Sequence, residues 1–168
     1  MAITHNLPIL GGATNPRANV SWEPGHLNLN TVNARFQGGL WLFPDTATRD
    51  KLDGEFRVPG NYVGTGLFVA RFACVQTSGN VLFKLNYKAI ADAEAGDPST
   101  DDEDLSFGSV AVPGTARLDK EITVSATSAN FVVGDRVPFS ISRDGVNESS
   151  GVAGTVYLKG LWFRYNDG

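Results

Sequence analysis

The sequence predicts an all-β protein: a jelly-roll-like antiparallel β-sandwich of about eight strands, preceded by an extended N-terminal arm over residues 1–36. Three observations predict it. Strand and turn formers dominate, with 19 Gly and 19% charged residues, while the helix-favouring Glu, Lys and Gln are scarce. Between Gly79 and Ala91, Val81, Phe83, Leu85, Tyr87 and Ala89 alternate with Leu82, Lys84, Asn86, Lys88 and Ile90, the period of two that lays one row of side chains on a core. From Gly38 onward, short apolar runs are closed by Pro-Asp, Pro-Gly-Asn, Pro-Gly and Asp-Gly breakers.

Taken in order, residues 1–36 hold six Asn and scattered single hydrophobics, among them Trp22, Leu27, Leu29 and Phe36, with no sustained period. A stretch of this length without periodicity orders against something else. A neighbouring subunit is the favoured partner, and the alternative is that part of it adds strands to its own sheet. Residues 37–168 form the sandwich, and the 168-residue chain is long enough to bury about 70% of the surface of its unfolded form in one domain. Gly39–Phe43 and Glu55–Val58 are short strands, and a helical turn fits only near Thr46–Lys51. Leu67–Val75 is apolar on both faces apart from Arg71, as expected of a central strand covered on two sides. Thr77–Asn80 has the length and residues of a hairpin loop.

Leu105–Val112 reads as a weak strand, and Glu121–Thr127 as one with Ile122, Val124 and Ala126 inward. Arg136–Arg143 points Val137, Phe139 and Ile141 inward, and its Pro138 predicts a sheet edge or a bulge. In Ala153–Tyr165 the inward parity changes between Leu158 and Leu161, so a bulge at Gly160 is needed to keep both sets on the core.

The chemistry-bearing residues are few. His5 and His26 both fall in the arm, so a metal-dependent jelly-roll enzyme fails on inventory. No GxSxG, HExxH or SxxK motif occurs, and Gly64-Thr65-Gly66 lacks the third glycine of a dinucleotide fingerprint. Carboxylates crowd the loops, and no mid-strand inward pair suits a glycosidase. Cys74, the one cysteine, lies in an apolar run and reads as a small buried side chain. Net charge is −4 with no Lys or Arg cluster, which argues against a nucleic-acid partner. No run of 18 apolar residues and no signal-peptide pattern occurs, so neither a membrane span nor classical secretion is expected.

Seven carboxylates lie between Asp92 and Asp104 with no Lys or Arg, a loop that the Gly79–Ala91 strand displays to solvent. Asp97, Asp101, Asp102 and Asp104 are candidate Ca²⁺ ligands there, although their spacing is not that of an EF-hand. Trp22, Trp41 and Trp162 could stack on sugar rings, but Trp41 and Trp162 sit in apolar runs that favour burial.

The run Phe43–Phe72 (FPDTATRDKLDGEFRVPGNYVGTGLFVARF), Ser78–Thr100 (SGNVLFKLNYKAIADAEAGDPST), then VPGTARL, GDRVPFSISRD and the closing LKGLWFRYNDG resemble structural proteins of tailed bacteriophages. The resemblance spans Gly39 to the C-terminus. It implies a jelly-roll virion component without catalysis or cofactor, of the capsid decoration or cement type, commonly a trimer over junctions between capsid subunits. The partner implied is the major capsid protein, on the capsid surface of a virion assembled in the host cytoplasm. The expected contacts are the arm residues Trp22, Leu27, Leu29 and Phe36, with Trp41. A tail or fibre position, or a glycan-binding module using the acidic loop or a tryptophan, stays open beside it.

Overall fold

The computed structural model describes residues 3–9, 15–17, 21–23, 40–45, 51–92, 94 and 101–167. Among them are eleven strands: β1 (Thr4–Pro8), β2 (Asn15–Arg17), β3 (Ser21–Glu23), β4 (Leu40–Phe43), β5 (Lys51–Arg57), β6 (Leu67–Cys74), β7 (Asn80–Tyr87), β8 (Glu103–Ala111), β9 (Lys120–Ser125), β10 (Arg136–Arg143) and β11 (Val156–Asn166). One sheet runs β3-β4-β11-β6-β9, with β1 also against β11, and the other runs β2-β5-β10-β7-β8. The eight strands β4 to β11 split as β4-β11-β6-β9 and β5-β10-β7-β8, all antiparallel, which is the strand order of a jelly roll.

The described parts of residues 1–36 are strands of the protein's own sheets, the alternative course for that segment. β2 and β3 extend the β5 and β4 edges. β1 is fastened to the end of β11 by a ladder and by Asp167, whose carboxylate accepts the Ile3 N–H at 2.7 Å and meets His5 Nε2 at 2.8 Å. The remainder of the arm lies outside the described residues.

The alternation in β7 packs as expected: Val81, Phe83, Leu85 and Tyr87 are buried, and Ala89 packs beside them. With Phe43, Phe56, Phe68, Phe72, Phe131, Phe139 and Phe163 they fill the space between the sheets with an aromatic core. Each such side chain contributes about 1.5–3 kcal/mol on burial. β6 sits between β11 and β9, with Phe68, Ala70, Phe72 and Cys74 in the core and Val69 and Ala73 also buried on the outer side, where Arg71 is exposed. In β11 the register against β6 shifts between Leu158 and Gly160, so Val156 and Leu158 on one side of the bulge and Leu161, Phe163 and Tyr165 on the other all reach the core.

Three expectations are corrected. Pro138 is not on an edge, because β10 lies between β5 and β7. Its carbonyl accepts the Lys88 N–H at 3.1 Å, so its missing donor faces β7 just past that strand's last residue, where no ladder bond is lost. Thr77–Asn80 does not close a hairpin, since β6 and β7 belong to different sheets; a loop of that length also crosses the ~10 Å between packed sheets. The end of the acidic segment is structured: Glu103 and Asp104 begin β8, ahead of the expected start at Leu105. The helical turn expected near Thr46–Lys51 falls on residues 46–50, outside the described residues, with Lys51 opening β5; among the described residues a 3-10 turn is present at Ser128–Asn130.

Candidate functional site

One end of the sandwich gathers the C-terminal ends of β5, β7 and β11 and the N-terminal ends of β6, β8 and β10. Here the chain beyond β7 reaches across to the start of β10, where Ile90 and Arg136 exchange backbone hydrogen bonds of 2.8 and 3.0 Å. The Val132–Asp135 turn closes the other side. Its form follows from two residues: Gly134 takes φ +91°, which glycine adopts without strain, and the buried Asp135 carboxylate accepts the Val132 N–H at 2.9 Å. The turn is tied to β5 by Gly134 N–H to Val58 O (3.0 Å) and Val58 N–H to Asp135 O (2.9 Å).

Between these segments lies a cleft of about 200 Å³, lined by Ile90 and Ala91 as its apolar part together with Arg57, Arg136, Asp92, Glu94 and Gly134. Arg57 donates to Gly134 O at 3.4 Å, and Arg136 meets Glu55 at 3.4 Å, long contacts that leave most guanidinium donors to solvent among the described residues. Glu94 is held by the Ala91 N–H, which donates to its carboxylate at 3.0 Å. The cleft therefore brings guanidinium donors and carboxylate acceptors together beside apolar side chains, with Glu94 held in place by the Ala91 N–H. Nothing in the sequence pairs Arg57 with Arg136. The hint available was that each stands at a strand end beside a turn, Pro59-Gly60 and Gly134-Asp135.

Next to the cleft, the Tyr87 hydroxyl donates to Glu103, which also accepts from the Thr127 N–H (2.9 Å) and hydroxyl (2.7 Å), while Asn130 donates to the Tyr87 oxygen at 3.1 Å. Burial and then the Glu103 carboxylate raise the Tyr87 hydroxyl above its ordinary value. For Glu103, burial pushes the carboxyl up, but the donors from Tyr87 and Thr127 outweigh it and the net shift is downward. A carboxyl lowered on folding stabilises above its unfolded value near 4.5, and that contribution is lost as pH falls through the folded value. A hydroxyl raised on folding stabilises below its unfolded value near 10, and that contribution is lost as pH rises past it. The melting temperature is thus expected to drop at both extremes, and the acid-side drop should shrink in Glu103→Gln. A Glu103→Gln profile identical to wild type below pH 4.5 would exclude this origin.

The other acidic candidates are engaged locally. Asp101 accepts from Asn86 Nδ2 at 2.9 Å, Asp102 from the Ala89 N–H at 2.7 Å, and Asp104 is paired with Asn86 in the ladder. Asp97 lies outside the described residues. Among the described residues no three His, Cys, Asp or Glu side chains converge as a metal site. Cys74 is buried, and burial raises its thiol.

The tryptophans part company. Trp41 is 8% exposed and belongs to the core, while the backbone of Trp22 pairs with it across β3 and β4. Leu27, Leu29 and Phe36 lie outside the described residues. Trp162 is half-buried and stands on the outer face of the β1-β11-β6-β9 sheet. Its ring lies over Gly160, where a Cβ would come within 2.4 Å of Cη2, so the glycine that allows the bulge also seats the indole. The Arg71 guanidinium lies over that indole, 5.3 Å from the ring centroid. Arg71 and Arg164 each donate to one oxygen of Glu121, at 3.1 and 3.0 Å, and Arg164 also donates to Asn6 at 2.7 Å. Arg71, with Arg164 beside it, holds the Glu121 carboxyl below its ordinary value against the opposing pull of burial.

No protein-family model matches the chain, and no curated protein matches it. Solved structures do, at low identity. A CBM35 carbohydrate-binding module in complex with a glucuronic-acid-containing disaccharide superposes with a TM-score of 0.53 at 10% identity, covering 97% of both chains. The K1 cleaved adhesin domain of Lys-gingipain from Porphyromonas gingivalis W83 gives 0.52 at 11%, again with 97% of both covered. The isomalto-dextranase of Arthrobacter globiformis T6 complexed with panose gives 0.53 at 12%, covering 95% of this chain. The chain spans 24%, 23% and 26% of the length of three glycoside hydrolase structures that it matches, in each case about a quarter. These likenesses establish the fold: an antiparallel β-sandwich of the kind found in carbohydrate-binding modules and adhesin domains.

Proposed function

We propose that the chain is a non-catalytic carbohydrate-binding module whose site is the cleft between Arg57, Arg136, Asp92 and Glu94. The observation that carries this reading is the composition of that cleft. A sugar ring offers hydroxyls that both donate and accept, around an apolar C–H face. Guanidinium donors, carboxylate acceptors and the apolar Ile90 and Ala91 meet all three needs in one place. The fold likeness to a CBM35 module supports it, and the glucuronic-acid-containing ligand is that protein's own.

The test is a broad glycan panel with and without Ca²⁺, followed by calorimetry on the best ligand. Each charge-assisted hydrogen bond contributes about 1.5–3 kcal/mol, so Arg57→Ala combined with Arg136→Ala is expected to weaken binding by a factor of roughly ten or more. A panel with no binder, or a double variant that binds as tightly as wild type, sinks the cleft reading.

A second reading follows the resemblance to tailed-phage structural proteins and is favoured by the jelly-roll strand order that the resemblance implies. In it the chain is a capsid cement protein, a trimer on the major capsid protein. Its test is copy number in purified particles by quantitative mass spectrometry. A ratio near that of the shell protein supports it, and absence from the particle removes it.

A further inference from the structure

Resting on the carbohydrate reading, we infer that the cleft selects a glycan unit bearing an anionic substituent, a carboxylate or a sulfate ester, which the Arg57 and Arg136 guanidiniums hold between them. The register of β5 on β10 sets Arg57 directly opposite Arg136. Both side chains stand on the outer face of the sheet, because Phe56 and Val137, their neighbours in the two strands, are the ones turned into the core. Like charges set opposite one another in a sheet destabilise it, so the fold gains nothing from this pair. An anion between them turns the repulsion into attraction.

The protein's own carboxylates leave the pair under-compensated. Among the described residues Arg57 forms no ion pair, and its one hydrogen bond is the long one to the Gly134 carbonyl. Arg136 meets only Glu55, at 3.4 Å, with both side chains about half exposed (52% and 51%), a contact that solvent screens. Asp92 and Glu94 line the same cleft without pairing to either guanidinium, and Glu94 is turned back onto the Ala91 N–H. These two carboxylates are thus left to accept sugar hydroxyls, and the arginines to take the anion. A guanidinium is a planar fork that matches two oxygens of a carboxylate or sulfate through parallel N–H bonds. A neutral sugar offers hydroxyls to the same donors and forgoes the charge.

The experiment has two arms. In the first, sodium sulfate and sodium acetate are titrated into the ¹⁵N-labelled chain at constant ionic strength, following the arginine Nε–H signals assigned with Arg57→Lys and Arg136→Lys. The Arg57 and Arg136 signals are expected to move together and saturate, and Arg57→Gln is expected to abolish the response at Arg136, since the anion is shared. A response to one salt alone tells a carboxylate from a sulfate preference. In the second arm the glycan panel is read as matched pairs, a neutral glycan against the same glycan carrying a sulfate or a sugar-acid unit. The acidic member is expected to bind about tenfold or more tightly, less so as salt rises, and Arg57→Gln to bring it down to the neutral member's level. Arg57→Gln is expected to melt no lower than wild type, because it relieves a like-charge contact; a clear drop in melting temperature would make the pair structural and overturn the inference. Equal affinity within the pairs overturns it too, as do sulfate and acetate that move the two signals no further than chloride. If neutral glycans then still bind and lose affinity with Arg57→Ala and Arg136→Ala, the cleft reading stands without it. A panel with no binder removes the cleft reading instead, and the salt titration alone decides whether the arginine pair takes an anion.

Discussion

Glu148→Ala is expected to destabilise the fold by about 3–5 kcal/mol, because it takes from a buried guanidinium its two-pronged partner and leaves only the half-exposed Asp45 carboxylate, at 3.7 Å, as counter-charge. Arg143 and Glu148 side chains are 1% and 0% exposed and meet in a two-pronged pair, Nε to Oε1 and Nη2 to Oε2, both at 2.8 Å. The remaining Arg143 donors go to the carbonyls of Val152 (2.5 Å), Gly154 (2.5 Å) and Phe43 (3.3 Å). Glu148 Oε1 also accepts the Leu82 N–H at 3.1 Å. One ion pair thus ties the β10–β11 connection to the end of β4 and to β7, across both sheets. Removing Glu148 leaves two Arg143 donors and the Leu82 N–H without their acceptor together. Replacing both partners with apolar residues, Arg143→Met with Glu148→Leu, strands neither charge and should cost less than the single change. Urea denaturation of the two variants checks this; a single variant within about 1 kcal/mol of wild type would mean that water reaches the pair.

Phe163→Ala is expected to cost a further, independent 3–5 kcal/mol, roughly 6–20 °C in melting temperature for a domain of this size. Phe163 is fully buried at the centre of the sandwich, its ring within 4.9–6.1 Å of those of Phe56, Phe68, Phe131, Tyr62 and Tyr165. Those rings come from several different strands and loops, so no single neighbour can move in to fill the space left behind. Thermal melting measures it, and a loss below about 1 kcal/mol would show that the aromatic cluster repacks around the cavity.

What was legible in the sequence was what depends on one strand at a time. The parity of Val81–Ala89 and the parity change at Gly160 each describe a local row of side chains, and each row found its core. What was not legible depends on where two distant segments meet. A turn of Gly, Ser and Asn looks the same whether the chain folds back on its own sheet or crosses to the other, so Thr77–Asn80 misled. Pro138 signals a missing donor but not that β7 stops beside it. Nothing in the sequence marks Arg143 and Glu148 as a buried pair, since burial of a charge is visible only once its partner is in place. The cleft is of the same kind, for Arg57 and Arg136 come together through the pairing of β5 with β10. The fastening of Trp162 by Arg71 likewise needs the register of β11 on β6.

The attachment of β1 along the end of β11 sets how the molecule can be held. Thr4 stands opposite Asn166, and Ile3 is bonded to Asp167, at the end of the sandwich where Arg57, Ile90 and Arg136 line the cleft. A surface, bead or fusion partner joined at either of these points therefore sits on the cleft side and competes for approach to it. The opposite end, where the Arg143–Glu148 pair locks the loops, faces away. Immobilisation through a residue near Thr115 would present the cleft outward, whereas attachment to a sensor chip beside Thr4 or Asp167 would shield it and make a competent binder look inert.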